Sequence, residues 1–331
     1  MIGIVKTVSR LALALPLAAL IWGCDEREAL GPDGGLYNVV LSVSSGSPST
    51  RVSSGAEEER INTVDFYLFD SGAGTLASGG HARTSSSDPV VMRLPEGEYD
   101  CYAVVNSHLS ESDLASVGSL EALSVLTGRL ADESVTSFCM VGHTDKVSVP
   151  KEGLVTIPVL RQVARVVLKG VMVSLREPYA SYGLTVNGVY MTNVVPTLPY
   201  SMERGIPEAS TWFNPMGYVS SAADHLIHED GMDAPEVWFY VMPNPVADDT
   251  RGGDVFSPRY TRLVIDANIG GQRTYYPIDI RDIRSNHSYE VTGLVITGPG
   301  ADTPEGDMPE GLSLTVRVLD WEREHVINEE S

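Results

Sequence analysis

The sequence predicts a mostly β chain in which two β-sandwich domains follow a removable leader, with one short helical region in the N-terminal domain. Three observations lead there. Apolar residues recur at a period of two through most of the 331 residues, only one stretch carries helical spacing, and the length suits two domains of ordinary size.

The leader comes first. Lys6 and Arg10 flank a short apolar run, Leu11 to Leu20, and Ile21-Trp22-Gly23-Cys24 reads as a small-residue cut site ending in cysteine. The run is too short to span a bilayer. Residues 1–23 are therefore expected to be a lipoprotein signal peptide with Cys24 as the lipidated residue. Three acyl chains on one cysteine hold a protein on a membrane far more firmly than one. A plain secretory signal is the alternative, since Trp22 is unusual at its position. A core helix is excluded by the charged run Asp25-Glu26-Arg27-Glu28 that follows.

The formal net charge is −21, and a leader with Lys6 and Arg10 but no acid makes the remainder more negative still. Such a field repels phosphates, which argues against nucleic acid as a partner. Without Cys24, only Cys101 and Cys139 remain, each in a strand-like run (YDCYAVVN and SFCMVGH). They are either a disulfide or two buried free thiols, and spacing does not decide between them.

Residues 24–35 read as a linker, turn-rich from Leu30 to Gly35. In Leu36 to Val43, Tyr37, Val39, Leu41 and Val43 share one face of a half-buried strand, with Asn38 and Ser42 opposite. Ser44 to Glu59 holds too little apolar surface to order itself, and Thr50-Arg51-Val52 within it is an ideal protease target. Thr63 to Asp70 is a strand, with Val64, Phe66 and Leu68 on one face. Val90 to Leu94 and Glu98 to Asn106 follow, joined through Pro95-Glu96-Gly97 as a hairpin-like turn in which Gly97 can take positive φ.

Ser110 to Leu130 is the helical region: Ser119 can cap, Glu121 favours the first turn, and Leu120, Leu123, Leu126 and Leu130 recur at helical spacing. Strand-like runs resume at Phe138, Val147 and Leu154. The boundary between an N-terminal domain, 36–160, and a C-terminal domain, 161–331, is expected in Leu160 to Val173 (LRQVARVVLKGVMV). There Ala164, Val166 and Leu168 point one way, and Arg165 and Lys169 form a wet face. Strands over Tyr182–Met191, Glu236–Met242, Arg262–Ala267, Gln272–Ile280 and His287–Thr297 complete the second half. Leu312, Leu314, Val316 and Val318 then alternate cleanly before Trp321.

Signals for chemistry are weak. His225 and His228 with Asp224, Glu229 and Asp230 read as a solvated acidic loop rather than a metal site, and Asp248, Asp249 and Asp254 do not match a calcium loop. No nucleophile elbow, P-loop or dinucleotide fingerprint occurs. No catalytic residue, metal or cofactor is expected, and the chain does not read as an enzyme. Trp212 and Trp238 could stack on sugars, but core packing accounts better for most such aromatics.

The order of these features resembles the fimbrillins, pilin subunits of the type V pili of Bacteroidia. The resemblance is carried by Cys24, the first strand and Thr50-Arg51. It continues through LPEGEYDCYAVVN, FCMVGH, VLRQVARV, RSNHSYEV and the terminal VRVLDW. Acids directly after Cys24 also resemble the surface-export signal of lipoproteins in those bacteria. The resemblance implies two transthyretin-like sandwiches and a lipoprotein of the outer membrane, surface exposed, whose first strand fills a groove in its own N-terminal domain. It also implies an arginine-specific protease that frees residues 36–51, here by a cut between Arg51 and Val52. The groove would then accept a strand from the next subunit, here Leu312, Leu314, Val316 and Val318, because the tail EREHVINEES is a poor donor by itself. Other pilus subunits and a host or bacterial surface ligand are the implied partners. The alternative is a monomeric surface lipoprotein that binds glycans or host protein.

Overall fold

The computed structural model describes residues 35–45, 55–151, 153–200, 216–219, 223–246, 248–249 and 259–321. Cys24, Arg51, Val52, Trp212, Asp254 and the tail after Trp321 lie outside the described residues.

The strands begin with β1 (Leu36–Ser45), β2 (Val64–Asp70), β3 (Leu76–Thr84), β4 (Val90–Pro95), β5 (Gly97–Val105), β6 (Thr127–Arg129), β7 (Met140–Val149), β8 (Leu154–Arg161) and β9 (Ala164–Lys169). They continue with β10 (Met172–Val173), β11 (Leu184–Thr192), β12 (Thr197–Pro199), β13 (Met216–Val219), β14 (Glu236–Val241), β15 (Thr261–Ile269), β16 (Gln272–Ile280), β17 (His287–Ile296) and β18 (Leu312–Asp320). Three short helices, α1 (Gly55–Glu58), α2 (Glu111–Ala115) and α3 (Leu120–Ser124), interrupt them. The chain is mostly β, as its periodicity predicts.

Strands β3, β2, β5, β7, β8, β1 and β4 are hydrogen-bonded in that order. β7 and β8 pair only at one end, Met140 opposite Arg161 and Val141 opposite Leu160. Beyond that corner the sheet folds over a core that includes Val39, Leu41, Phe66, Leu68, Leu94 and Ile157. Gly142 makes the corner possible, because a Cβ there would stand 1.9 Å from the Pro158 carbonyl oxygen. β2 is buried on both faces: Tyr67 and Phe69 leave the first core and join Leu123, Val141 and Cys139 in a second cluster.

The later strands form two further sheets, β10-β17-β9-β14 with β18 on β17, and β13-β11-β15-β16. Their shared core includes Val166, Leu168, Val189, Ile265, Ile278 and Val291. β6 pairs with β12, so the segment before β7 is tied to the later half.

Four expectations are corrected. The Ser110–Leu130 region is two single-turn helices: Ser110 caps α2 by accepting from the Asp113 N–H, and Ser119 caps α3 by accepting from the Ala122 N–H. The chain then turns extended, because Thr127–Arg129 gains strand partners in β12 and the Leu126 carbonyl accepts from the Tyr200 N–H at 2.8 Å. Tertiary pairing overrides helical spacing here. Second, Pro95-Glu96-Gly97 is a corner and not a hairpin. β4 lies beside β1, β5 lies between β2 and β7, and Gly97 is absent from the positive-φ positions. The Tyr99 hydroxyl closes the corner on the Pro95 carbonyl at 3.0 Å, and it lies 3.1 Å from where a Gly97 Cβ would stand.

Third, Arg165 is buried at 4% exposure, so β9 has no wet face at that position. Fourth, part of Ser44–Glu59 is ordered: Ser44 and Ser45 belong to β1, and Glu58 ends α1 at 3% exposure.

Gly142→Ala is expected to destabilise the fold by about 3 kcal/mol through forced displacement of the β7–β8 corner. Gly118→Ala, whose Cβ would meet nothing within 4 Å, should change stability by less than about 0.5 kcal/mol. Urea unfolding of the two variants checks both.

Candidate functional site

β1 occupies a slot between β8 and β4. It runs parallel to β8 in a continuous register from Val40 opposite Leu154 to Ser45 opposite Val159. Val39 and Leu41 are completely buried, and Tyr37 and Val43 are half-buried against the same core. These four side chains therefore share the core-facing side of β1. Its walls are Val155, Ile157 and Val159 from β8 with Met92 and Leu94 from β4. On the other face the Ser42 and Thr156 hydroxyls share a hydrogen bond of 3.2 Å. Burial of Val39 and Leu41 alone stabilises the strand by roughly 3–6 kcal/mol.

β18 is held differently. Among the described residues its strand partner is β17 alone, in antiparallel register. Leu312 is buried, Leu314 and Val316 are half-buried, and Val318 is 55% exposed. Arg317 reaches the buried Glu290 at 3.5 Å, and Lys169 holds the same carboxylate at 2.6 Å.

At the end of β18 the chain enters a buried polar cluster that sequence reasoning does not find. Trp321 is 4% exposed, and its indole N–H donates to the Glu58 Oε2 at 2.9 Å. Tyr240 donates to the Glu58 Oε1 at 2.7 Å, and its ring stacks on Trp321 with centroids 5.9 Å apart. Burial, and then that hydrogen bond, push the Tyr240 phenol above its usual range. The Arg165 guanidinium lies 3.4 Å from Glu58 Oε2 and 5.0 Å from the Trp321 ring centre, with Arg161 at 4.9 Å from the same ring. Arg161 also donates to the Glu58 carbonyl at 3.0 Å and to Asn286 Oδ1 at 2.9 Å. Asn106, at a φ of 52°, donates to the carbonyls of Arg60 and Phe138, and its Oδ1 accepts from the Asn62 N–H at 2.8 Å. Arg60 is therefore pinned at its carbonyl, a poor setting for the extended conformation that a protease needs.

Of the other expected residues, Trp238 borders this cluster. Trp238 donates to Glu236 at 2.9 Å and carries Arg165 on its face at 4.9 Å. His225, His228, Glu229 and Asp230 line an open depression beside β10, together with the apolar Met172, Val173, Ile227 and Met232. No group of three metal-ligating side chains occurs among the described residues, and no described helix is long and apolar enough to cross a membrane.

Cys101 and Cys139 are free, buried thiols, so the disulfide alternative does not hold. They belong to different clusters, Cys101 in the core between the layers and Cys139 in the second cluster beyond β2. Burial, and then Asp100, push the Cys101 thiol up to about 12, and burial pushes Cys139 well above its usual value. Both therefore stay protonated and unreactive at ordinary pH.

Leu41→Ala should cost about 2–5 kcal/mol by urea unfolding, whereas Asn38→Ala, on the exposed side of β1, should stay within about 0.5 kcal/mol. A chain lacking residues 1–24 should give no reaction with a thiol reagent at pH 8 while folded. After unfolding it should give a signal from both cysteines, whereas a bridged pair would stay silent in both states.

No protein-family model and no curated protein matches the chain. Solved structures do. A candidate cell adhesion protein from Bacteroides eggerthii superimposes with a TM-score of 0.66 at 17% identity, over 86% of this chain and 96% of that one. A fimbrilin (fimA) from Porphyromonas gingivalis W83 gives 0.62 at 17% identity, over 86% and 97%. The tip fimbrial protein Mfa3 of Porphyromonas gingivalis, truncated at its C-terminus, gives 0.57 at 13% identity, over 86% and 100%. This likeness in three dimensions shows the fold, and the fold of this chain is the fimbrilin fold.

Proposed function

We propose that this chain is a structural, adhesive subunit of a fimbria, exported as a lipoprotein on Cys24 and polymerised by strand replacement after an arginine-specific cut between Arg51 and Val52. In this reading it is surface exposed on the outer membrane until cleavage, its partners are other pilus subunits, and it performs no catalysis. Residues 36–160 and 161–331 act as its two sandwich domains.

The observation that carries the reading is the position of β1, the first described strand, in an interior slot with strands on both sides. A strand that leaves such a slot exposes two rows of unpaired backbone groups along an apolar cleft, and another strand of the same period is what best repairs it. β18 has that period: Leu312, Leu314, Val316 and Val318 match the spacing of Tyr37, Val39, Leu41 and Val43. Donor and acceptor surfaces differ, so each contact leaves a further free groove and a further free strand, and the assembly grows as a filament. The similarity in fold to a fimbrilin and to a tip fimbrial protein supports the same reading.

Digestion of the chain lacking its leader with an arginine-specific protease should give one cut, after Arg51 by intact mass, followed by a ladder of oligomers on native gels. The Arg51→Ala chain should remain monomeric. Oligomers forming from Arg51→Ala at the wild-type rate would overturn the proposal.

A further inference from the structure

The cluster around Glu58 joins two segments that strand replacement would have to treat together. One is α1, which leads from the candidate cleavage region into β2. The other is Trp321, which ends the candidate donor strand β18. We propose that the Glu58 carboxylate is a latch: it holds Trp321 in place, and through it keeps β18 on β17 for as long as α1 is seated. The inference rests on the strand-exchange reading for its purpose and adds to it a coupling between the first strand's side of the molecule and the last.

β18 is an edge strand, held by its backbone ladder with β17 from Leu312 to Asp320 and by little side-chain burial. Its buried side chain at the start is Leu312, its middle alternates between half-buried and exposed, and Val318 faces solvent. An edge strand of that kind opens easily unless its end is fixed. Trp321 supplies the fixed end: the indole lies against the Arg161 and Arg165 guanidiniums, the Tyr240 ring and the edge of Phe138. Two cations on one buried ring need a carboxylate nearby to be tolerated at such burial. Glu58 is paired with Arg165 and Glu59 with Arg161, and both acids belong to the short segment at the end of α1. Glu58 also takes the indole hydrogen directly, so its removal would at once weaken the Trp321 anchor and take a carboxylate away from Arg165.

The geometry is also selective. The Trp321 N–H donates to the same carboxylate oxygen that Arg165 approaches, while Tyr240 from β14 takes the other oxygen. A displacement of α1 therefore disturbs β18 and β14 together, whereas the β1 slot contains none of these groups. That is why the latch can be opened without emptying the slot.

Hydrogen–deuterium exchange on the uncut chain lacking its leader tests this. In Glu58→Ala, amides of residues 312–320 should exchange at least tenfold faster than in the wild type, with β2 and β5 amides unchanged. Trp321→Ala should behave alike, and Tyr240→Phe should raise the same amides less. If Glu58→Ala does not fold, Glu58→Gln, which keeps the shape but loses the charge, takes its place with the same expectation. Exchange over 312–320 within twofold of the wild type in the folded variants overturns the latch. Because the measurement involves no cleavage and no filament, a failure of protease-triggered assembly would leave its outcome standing. Unchanged exchange alongside normal assembly would remove the latch alone.

Discussion

A single buried carboxylate, Glu58, is the constraint on which the later half of the molecule depends. Its oxygens receive Trp321 and Tyr240 and face Arg165, so the residue after β18, the edge strand β14 and the first strand past the sheet boundary all meet there. Removing one partner of a buried ion pair typically costs about 3–5 kcal/mol, because the other charge is left without compensation. Such a cluster is satisfied as a whole or not at all, which ties segments far apart in sequence into one arrangement. Asn106 extends the constraint by bridging the backbone of residues 60–63 to Phe138, whose ring touches both Tyr240 and Trp321.

The earlier half obeys a different constraint, which is apolar. Seven strands share a core because β7 and β8 cross closely at Gly142 and then diverge, and β1 extends the layer beyond β8, between it and β4. With β1 in place the slot is closed on both sides by β8 and β4, and the apolar period of the strand decides which face looks inward. A one-residue slip would turn Val39 and Leu41 to solvent and bring Asn38 and Ser42 into the core. The register from Val40 to Ser45 is therefore strongly specified.

Much of this is legible in the sequence, because a half-buried strand writes its orientation at a period of two. The inward faces of β1 and β18 follow from that alone, and the bounds of β16 coincide with its apolar run. Where the sequence misleads, a distant partner has overruled a local signal. Arg165 does point away from Val166, as its spacing says, but what covers it comes from Glu58 and Trp321. The leucine spacing after Ser119 is helical, yet β12 captures the backbone of residues 127–129. Glu58 is least legible of all, an acid in a polar, glycine- and serine-rich stretch. The signal that could have pointed to the cluster is the lone polar or aromatic residue set within apolar runs. Arg161 and Arg165 in VLRQVARV are such residues, and both converge on Trp321.

Under the proposed strand replacement, the two constraints have complementary consequences. β1 and β18 carry apolar residues at the same spacing, so exchanging one for the other in the slot changes the buried apolar surface little, and contacts within the slot give neither strand a decisive advantage. The direction of the exchange must then come from outside the slot. Severing the link after Arg51 turns return of β1 from an intramolecular step into a bimolecular one, which removes its high effective concentration. On the donor side, β18 gives up half-buried positions at Leu314 and Val316 and an exposed one at Val318, so its move into a closed slot gains burial that its present place does not provide. What opposes that move is the aromatic and charged cluster at Trp321. A fold that left both strands weakly held would aggregate before export was complete, through its open edges. β18 is paired with β17 from Leu312 to Asp320, so its release opens that ladder as well as the hold at Trp321, and a hold at one end on one carboxylate is where such an opening can start.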